Sequence, residues 1–426
     1  DALRCSATDM SWIILEAMRP FADTLPFDDA LQAVRGAAVP ITRTERIALD
    51  AADGRVLATA IVADQDVPAF DRAAMDGYAV LASDTSSAVQ DAPIGLRLIG
   101  RVFTGHTTDI PVVPGTCIEV ATGSPLPPGA DAVVMVEHTS RRGDDVLVHR
   151  PAGGRQHVGP RGADIHEGEA LLDAGAVLTP ARLGALAAIG VTNVDVFARP
   201  TVAVMCTGDE VVSQGQPLGP GQVYNVNRFT LEALVRRHGG DPVIVPTTDD
   251  SIAALDASLA LARTCDLIVT SGGSSVGEHD FVVDMVRGHG EVIFHGIKIK
   301  PGKPTVFGRI GASLLLGLSG YPASCLSNAY LLLVPLLRAT ARLPPWAPRV
   351  VTLPLARRIT SSPGRLQFYS VRIEGERAVP AFKGSGDITS MAHADGYVTI
   401  PAEVVALEAG EAVTITLYHS DGSHET

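Results

Sequence analysis

The run Asp266-Leu267-Ile268-Val269-Thr270 passes into Ser271-Gly272-Gly273-Ser274-Ser275-Val276-Gly277-Glu278-His279-Asp280, and an apolar stretch with helical spacing begins at Phe281. An apolar strand, a turn of glycine and serine, and then a helix form the repeating unit of a parallel sheet, whose strands can be joined only by a crossover. The same alternation continues on both sides. Strands are predicted over 201–206, 242–245, 266–270, 292–294, 305–307 and 313–318, and helices over 229–238, 251–263, 281–287 and 323–341. Their apolar runs predict a mostly parallel sheet covered on both faces, in an α/β domain spanning 198–343.

Working outward, the pattern changes in both directions. Between 64 and 163, glycine and proline clusters separate short β-branched runs such as 132–136 and 145–148, which predicts a β-rich domain. Helical patterns flank it at 27–35 and 179–190. The second has Thr179 at the N-cap, Pro180 in the first turn and Gly190 just past the end. The two helices are expected to pack together, so that 20–63 and 164–197 make one discontinuous helical domain interrupted by the β-rich insertion. Beyond Pro344-Pro345, period-two strands at 368–373, 397–400 and 412–417 predict a small β-barrel-like domain over 344–426. The chain therefore reads as multidomain, α/β plus β.

Composition agrees. With 426 residues, 46% hydrophobic and 19% charged, several cored domains are expected and long disordered tracts are not. The net charge of −13 argues against non-specific nucleic-acid binding or adhesion to an anionic membrane. Any anionic ligand must be caught locally. Five cysteines with no Cys-x-x-Cys pair fit reduced thiols and a cytoplasmic setting. Residues 1–21 carry Asp9, Glu16 and Arg19 and lack a secretory pattern, and the start at Asp1 reads as a trimmed or partial chain. The most apolar segment, 329–337, is too short to span a bilayer, contains Pro335, and is expected to be a buried helix. The 12 histidines show no zinc-ligand spacing.

Ligands of an open parallel sheet bind beyond the carboxyl ends of its strands. Four loops fall there: 207–210, 248–250, 271–280 and 319–324. In the glycine-rich loop, backbone N–H groups can approach a phosphate closely, with Ser271, Ser274 and Ser275 adding hydroxyls around Gly272, Gly273 and Gly277. The loop lacks the P-loop lysine and the dinucleotide spacing, so an ordinary strand-to-helix turn is the competing reading. Lys300-Pro301-Gly302-Lys303-Pro304 sets two ammonium groups on a Pro-Gly turn, either around an anion or in solvent. Asp209, Glu210, Asp249 and Asp280 crowd the same edge. A carboxylate about 4 Å from an anion is repelled by about 4 kcal/mol at an effective dielectric of about 20, so acids and phosphate sharing a pocket imply a cation, Mg²⁺ by default. Asp250 reads better as a helix cap. In the β-rich region, the turn around Asp76-Gly77 and the turn 122–127 are not distinguished by spacing from ordinary turns.

Taken together, these segments resemble the molybdopterin molybdenumtransferases, the MoeA family that includes the E domain of gephyrin. The resemblance runs from about 31 to 412 and rests on six motifs in order: PAFDRAAMDGYAV (68–80), ATGSPLPPGADAVVMVEHT (121–139), TGDE (207–210), SGGSSVGEHD (271–280), KPGKP (300–304) and GSGDITSMAHADG (384–396). It implies four domains, a homodimer, and insertion of molybdate into adenylated molybdopterin with hydrolysis of the AMP linkage, assisted by a divalent cation. In that family the site lies between the parallel-sheet domain of one subunit and the β-rich domain of the other. Carried over, Asp76 and Thr122 come from the β-rich domain, and Glu210, Asp249 and Asp280 are acids near metal or molybdate. Lys300 and Lys303 bind phosphate or oxyanion around Pro301 and Gly302, and Ser385 and Asp387 lie at the C-terminal edge of the cleft. Implied partners are the molybdopterin adenylyltransferase and proteins of molybdoenzyme maturation.

Three departures stand out. The usual Gly-Leu-Pro-Gly-Asn-Pro loop reads Gly317-Leu318-Ser319-Gly320-Tyr321-Pro322. The arginine-rich stretch before Gly-x-Asp-Ile keeps only Arg161, and a customary arginine is replaced by Ser370, with Arg372 two residues on. Besides molybdenum transfer, a catalytically altered pterin-binding scaffold and a nucleotide pyrophosphatase are compatible with the glycine-rich loop. Asp76, Asp280, Lys300 and Lys303 favour transfer over the scaffold, and the β-rich and C-terminal domains favour it over the pyrophosphatase.

Overall fold

The computed structural model describes residues 24–246, 252–273 and 281–418. The chain divides into two compact units, Arg46–Val196 and a second built from Asp1–Glu45 with Phe197–Thr426.

The second unit centres on a six-stranded sheet in the order Asp241–Ile244, Thr201–Cys206, Leu267–Ser271, Ser313–Leu318, Val306–Ile310, Glu291–His295. The first four strands are parallel and the last two join antiparallel. The antiparallel turn has a simple cause. Ile310 pairs with Ser313, leaving Gly311 and Ala312 to connect them, too short for a crossover. Successive strand residues alternate between two cores. Val202, Val204, Leu267, Val269, Leu314 and Leu316 pack with Leu231, Leu234 and Val235 of the helix Asn227–Arg237. Ala203, Met205, Ile268 and Leu315 pack with Leu255 and Leu259, and with Val282, Met285 and Val286 of the helix Phe281–His289. Burial on both faces explains the nearly continuous apolar character of these strands.

The long apolar helix runs from Pro322 to Thr340 and 67% of its most apolar window is buried, as expected of a core helix. Its middle, Ala329–Leu333, widens into a π-helical turn just before Pro335. Proline has no N–H to donate, and the wider turn absorbs the missing bond. One expectation is corrected here. The helix Phe27–Ala37 does not share a core with the helix Pro180–Ala188; its Ala30 and Val34 are buried with Leu332, Leu333 and Leu336 of the long helix, whereas Leu186 is buried with Ala52, Leu57, Leu178, Val194 and Val196. Apolar spacing shows that a helix has a stripe to bury, without naming the surface that receives it.

The C-terminal strands form a second sheet in the order Ile299–Lys300, Leu366–Glu374, Gly396–Ile400, Ala412–Leu417, Val350–Pro354. Arg377–Pro380 pairs with Leu366–Glu374, and the Ala356 N–H donates to the Ala378 carbonyl at 2.8 Å, which closes the ring. Inside lie Leu355, Val371, Ala378, Val398, Ile400, Val413 and Ile415, so the barrel-like expectation holds. Ile299–Lys300 pairs in parallel with Leu366 and Gln367, which ties the basic turn to this sheet.

The unit Arg46–Val196 carries a six-stranded sheet in the order Ala132–Met135, Gly77–Val80, Thr116–Val120, Ile94–Val102, Asp145–Val148, Thr139–Arg142. Its alternating residues bury Tyr78, Val80, Leu96 and Val146 on one side and Ala79, Val102, Ile118 and Val133 on the other. This is the β-rich region read from the sequence.

Candidate active site

At the carboxyl edge of the parallel sheet, Cys206 pairs with Ser271 and Ser271 with Leu318, so three strands end level. The loops that follow are laced together. The Thr207 N–H donates to the Ser271 carbonyl at 2.9 Å, and the Gly272 N–H to the Leu318 carbonyl at 3.3 Å. The Asn227 amide, buried at the start of its helix, donates to the Ser271 hydroxyl and to the Gly320 carbonyl, both at 2.7 Å. Ser271 in turn donates to the Ser319 carbonyl at 3.2 Å. The hydroxyl of Ser271 is therefore spent on holding loops together. Gly272 has φ +98°, and a Cβ there would stand 2.2 Å from the Thr207 carbonyl, so only glycine lets the loop leave the strand in this direction.

Among the described residues, Thr207 Oγ1 and Asn227 Oδ1 are buried at this edge without a hydrogen-bond partner. Unsatisfied buried polar atoms in an otherwise bonded network mark a place where a polar ligand can be received. Gly273 opens the loop at partial exposure. Ser274, Ser275, Gly277 and Asp280 lie outside the described residues, as does Asp249. Of the expected acids, Glu210 is described. A Cβ on Gly208 would lie 2.7 Å from Glu210 Oε2, so this carboxylate folds back over the first loop, beside Thr207. The donors are all oxygens, which suits a hard cation such as Mg²⁺. Among the described residues, no group of three His, Cys, Asp or Glu converges on one point.

The basic turn is not a solvated loop. Pro301 and Gly302 are buried, and Lys300 Nζ donates to the Ser362 hydroxyl at 2.7 Å. Asn328, within the apolar helix, donates to the Gly302 carbonyl and to Thr305 Oγ1, both at 2.8 Å. A Cβ at Gly302 would come within 2.3 Å of that amide. Lys303 is half-buried at the end of the same turn. The ammonium groups are thus carried on a backbone fixed independently of any ligand.

Ser385 and Asp387 reach the same edge by an unexpected route. The Ser385 carbonyl accepts the N–H groups of Ala323 at 3.0 Å and Ser324 at 3.4 Å, closing the start of the long helix with main chain. Asp387 turns back toward Gly384, its Oδ2 placed 2.9 Å from where a Cβ on that residue would be. Beneath the edge, burial pushes the Cys206 thiol up to about 11 and the Cys325 thiol up to about 12, so neither is a nucleophile at neutral pH. Ser370 is buried while Arg372 is exposed and ion-paired to Glu374 at 2.7 Å.

In the unit Arg46–Val196, Asp76 precedes the strand Gly77–Val80 and Thr122 follows Thr116–Val120. The Thr122 N–H and hydroxyl both donate to Asp76 Oδ1, at 2.7 and 2.8 Å. These bonds, the backbone one first, hold the exposed carboxyl below the usual carboxylate range. Asp76 borders a cleft of about 300 Å³ with Tyr78, Phe103, Glu119 and Val136 on its walls. The retained Arg161 is engaged: its side chain pairs with Asp66 and its N–H donates to Asp71 at 2.8 Å.

Comparison with known proteins gives three family matches in chain order: the MoeA N-terminal region (domain I and II) over 25–190, a probable molybdopterin binding domain over 203–339, and the MoeA C-terminal region (domain IV) over 352–418. Molybdopterin molybdenumtransferase 2 of Mycobacterium tuberculosis is 35% identical over 399 residues, covering 91% of this chain and 96% of its own. The chain belongs to the MoeA family. The molybdopterin molybdenumtransferase of Haemophilus influenzae is 32% identical over 88% of this chain and 94% of its own. A solved molybdopterin biosynthesis MoeA protein of Pyrococcus horikosii superposes with a TM-score of 0.82 at 37% identity, over 93% of this chain and all of that one.

Against that MoeA-family frame, sequence reasoning passed over Thr207's side chain, Asn227 and Asn328. Asn328 had a visible signal, a lone amide within an otherwise apolar helix, where an unpartnered polar group would be costly. Asn227 lies next to a helix-start signal, since Asn225 Oδ1 accepts the Arg228 N–H at 3.0 Å as a cap. That signal explains Asn225 but gives no hint that Asn227 bridges two distant loops.

Proposed function

We propose that this MoeA-family chain is a molybdopterin molybdenumtransferase of molybdenum cofactor biosynthesis, which inserts molybdate into adenylated molybdopterin and releases AMP. The observation that carries the reading is the carboxyl edge of the parallel sheet, where Gly272 exposes main chain, Thr207 and Asn227 offer unpartnered polar atoms, and Lys300 and Lys303 stand on a fixed turn. Such an edge binds a phosphate-bearing pterin through backbone amides and ammonium groups. Ser274, Ser275 and Gly277 would supply further donors to the anion, and Ser385 and Asp387 would border it.

Asp76 and Thr122 act on the molybdate side. Thr122 keeps the Asp76 carboxylate ionised and oriented through two short bonds, placed to take up the proton a pterin thiol loses as its sulfur bonds molybdenum and to pass it to the molybdate oxygen that leaves as water. Glu210, Asp249 and Asp280 would hold Mg²⁺, which screens the charge between these acids and the phosphate. The protein acts as a cytoplasmic homodimer, receives substrate from the molybdopterin adenylyltransferase and passes product to molybdoenzyme maturation proteins.

The test is AMP release by the purified protein from adenylated molybdopterin with Mg²⁺, with and without molybdate. Release that requires molybdate supports transfer. Release indifferent to molybdate identifies a pyrophosphatase, and tight pterin binding with no release identifies a scaffold. Asp280→Asn separates the cation role from a capping role, because asparagine caps nearly as well as aspartate. Wild-type AMP release with unchanged Mg²⁺ dependence would remove Asp280 from the cation site.

A further inference from the structure

Tyr321 sits at the N-cap of the long helix, a position favoured by Ser, Thr, Asp and Asn because their side chains accept helix N–H groups. Its side chain makes no such bond. Main chain does that work instead: the Ser385 carbonyl accepts the N–H groups of Ala323 and Ser324, while the Tyr321 N–H itself donates to the Ser319 hydroxyl at 3.3 Å. Nor does the ring pack into a core, since Tyr321 is 64% exposed. The residue thus serves neither capping nor burial, at a position where the family pattern has asparagine.

What surrounds the ring is bare backbone. A Cβ on Gly386 would lie 3.6 Å from Tyr321 Cδ1, so the ring edge rests on a residue without a side chain. A Cβ on Gly320 would lie 3.4 Å from the Gly272 Cα, so these two glycines stack main chain on main chain next to Tyr321. The buried Asn227 amide fixes this floor by donating to the Gly320 carbonyl, and among the described residues its Oδ1 has no partner. A floor of glycine backbone, an exposed aromatic face beside it and an unsatisfied amide oxygen form a receptor for a planar heteroaromatic ring carrying N–H groups.

We propose that Tyr321 is a specificity-determining residue that stacks on a planar heteroaromatic ring of the substrate. The inference rests on the molybdenumtransferase reading, which offers two such rings, the pterin and the adenine. Stacking a ring on tyrosine removes apolar surface from both and is tolerant of the ring's exact substituents. Replacing the family's asparagine by tyrosine thereby exchanges a capping side chain for a ligand contact.

The experiment titrates AMP and molybdopterin separately against the wild type and against Tyr321→Phe, Tyr321→Ala and Tyr321→Asn, with affinity read by calorimetry. The Asn variant supplies a capping side chain, so a loss of binding there is not a failure to fold. Tyr321→Ala and Tyr321→Asn are expected to weaken one of the two ligands about tenfold, while Tyr321→Phe stays within about twofold. The ligand that loses affinity identifies the stacked ring. Unchanged affinity for both ligands in the Ala and Asn variants, in a protein that transfers molybdenum, overturns this proposal alone. A wild type that binds neither ligand overturns both it and the reading on which it rests.

Discussion

The sheet edge around Gly272 and the turn around Asp76 both hold candidate site residues, yet they are held by opposite means. At the sheet edge, position comes from burial. Ser271 is 2% exposed, Asn227 7%, and the loop directions follow from strands whose both faces are packed. At Asp76, position comes from one residue, with the Thr122 N–H and hydroxyl both donating to an exposed carboxylate. The first arrangement is rigid because the core must move for it to move. The second is tunable, since the Thr122 hydroxyl adds to its N–H in setting the orientation and acidity of the acid. A binding floor and a proton-accepting group call for these two different designs.

The largest expected effect breaks the sheet edge. Gly272→Ala places a methyl 2.2 Å from the Thr207 carbonyl at φ +98°, and should destabilise the protein by roughly 3 kcal/mol or more. Gly123→Ala, beside Thr122, meets nothing within 4 Å and should cost about 1 kcal/mol from its φ of +81° alone. Urea unfolding of the two variants checks the contrast. Equal losses would remove the distinction between a packed edge and an open turn.

A second contrast uses acid. Burial, with Arg338 and Arg237 nearby, pushes the His238 imidazole down to about 4 from its ordinary 6.5. The unfolded chain therefore binds a proton that the folded one refuses. Stability from this group is full above about pH 6.5 and falls as the pH drops toward about 4, by roughly 3 kcal/mol in total. His238→Leu should flatten that part of the stability profile, and a profile of wild-type slope would assign the loss elsewhere. Asp76 has the same sign in a more acidic window: its folded pKa is also lowered, so its contribution is present above the unfolded carboxylate value and is lost as pH falls through the folded one.

Asn328→Leu should cost about 2 kcal/mol, because Thr305 Oγ1 and the Gly302 carbonyl each lose a buried donor. Binding of molybdate by the basic turn should weaken with it, and unchanged binding would mean that the lysines are placed by other contacts. The smallest effect is expected at Thr122→Val. Stability should change by less than about 1 kcal/mol, while the Asp76 carboxyl, followed by NMR titration, moves up toward the ordinary carboxylate range. An unmoved titration would show that the hydroxyl does not tune the acid.

Legibility in the sequence follows the same division. The strands 201–206, 267–271 and 313–318 were readable because burial on both faces demands apolar residues at every position, and composition records that demand directly. The lysine turn was readable as a turn with partly buried backbone, from the apolar Ile297, Ile299 and Val306 around it, but the side chain that holds it was not, since Asn328 lies far along the chain from the carbonyl it bonds. Asp76 looked like any Asp-Gly turn, because the bond that distinguishes it comes from Thr122, 46 residues away. The helix Phe27–Ala37 was placed with the wrong neighbour for the same reason: an apolar stripe such as Ala30 and Val34 carries no address. Local chemistry is written locally, and pairings across the chain are not.

The central claim is that this chain moves molybdenum onto a pterin. A single-turnover reaction of wild-type protein with adenylated molybdopterin, Mg²⁺ and molybdate should yield AMP and pterin-bound molybdenum in equal amounts, with Asp76→Asn binding the adenylated pterin at wild-type affinity yet producing neither. Release of AMP with no molybdenum on the pterin, or full transfer by Asp76→Asn, would contradict the account.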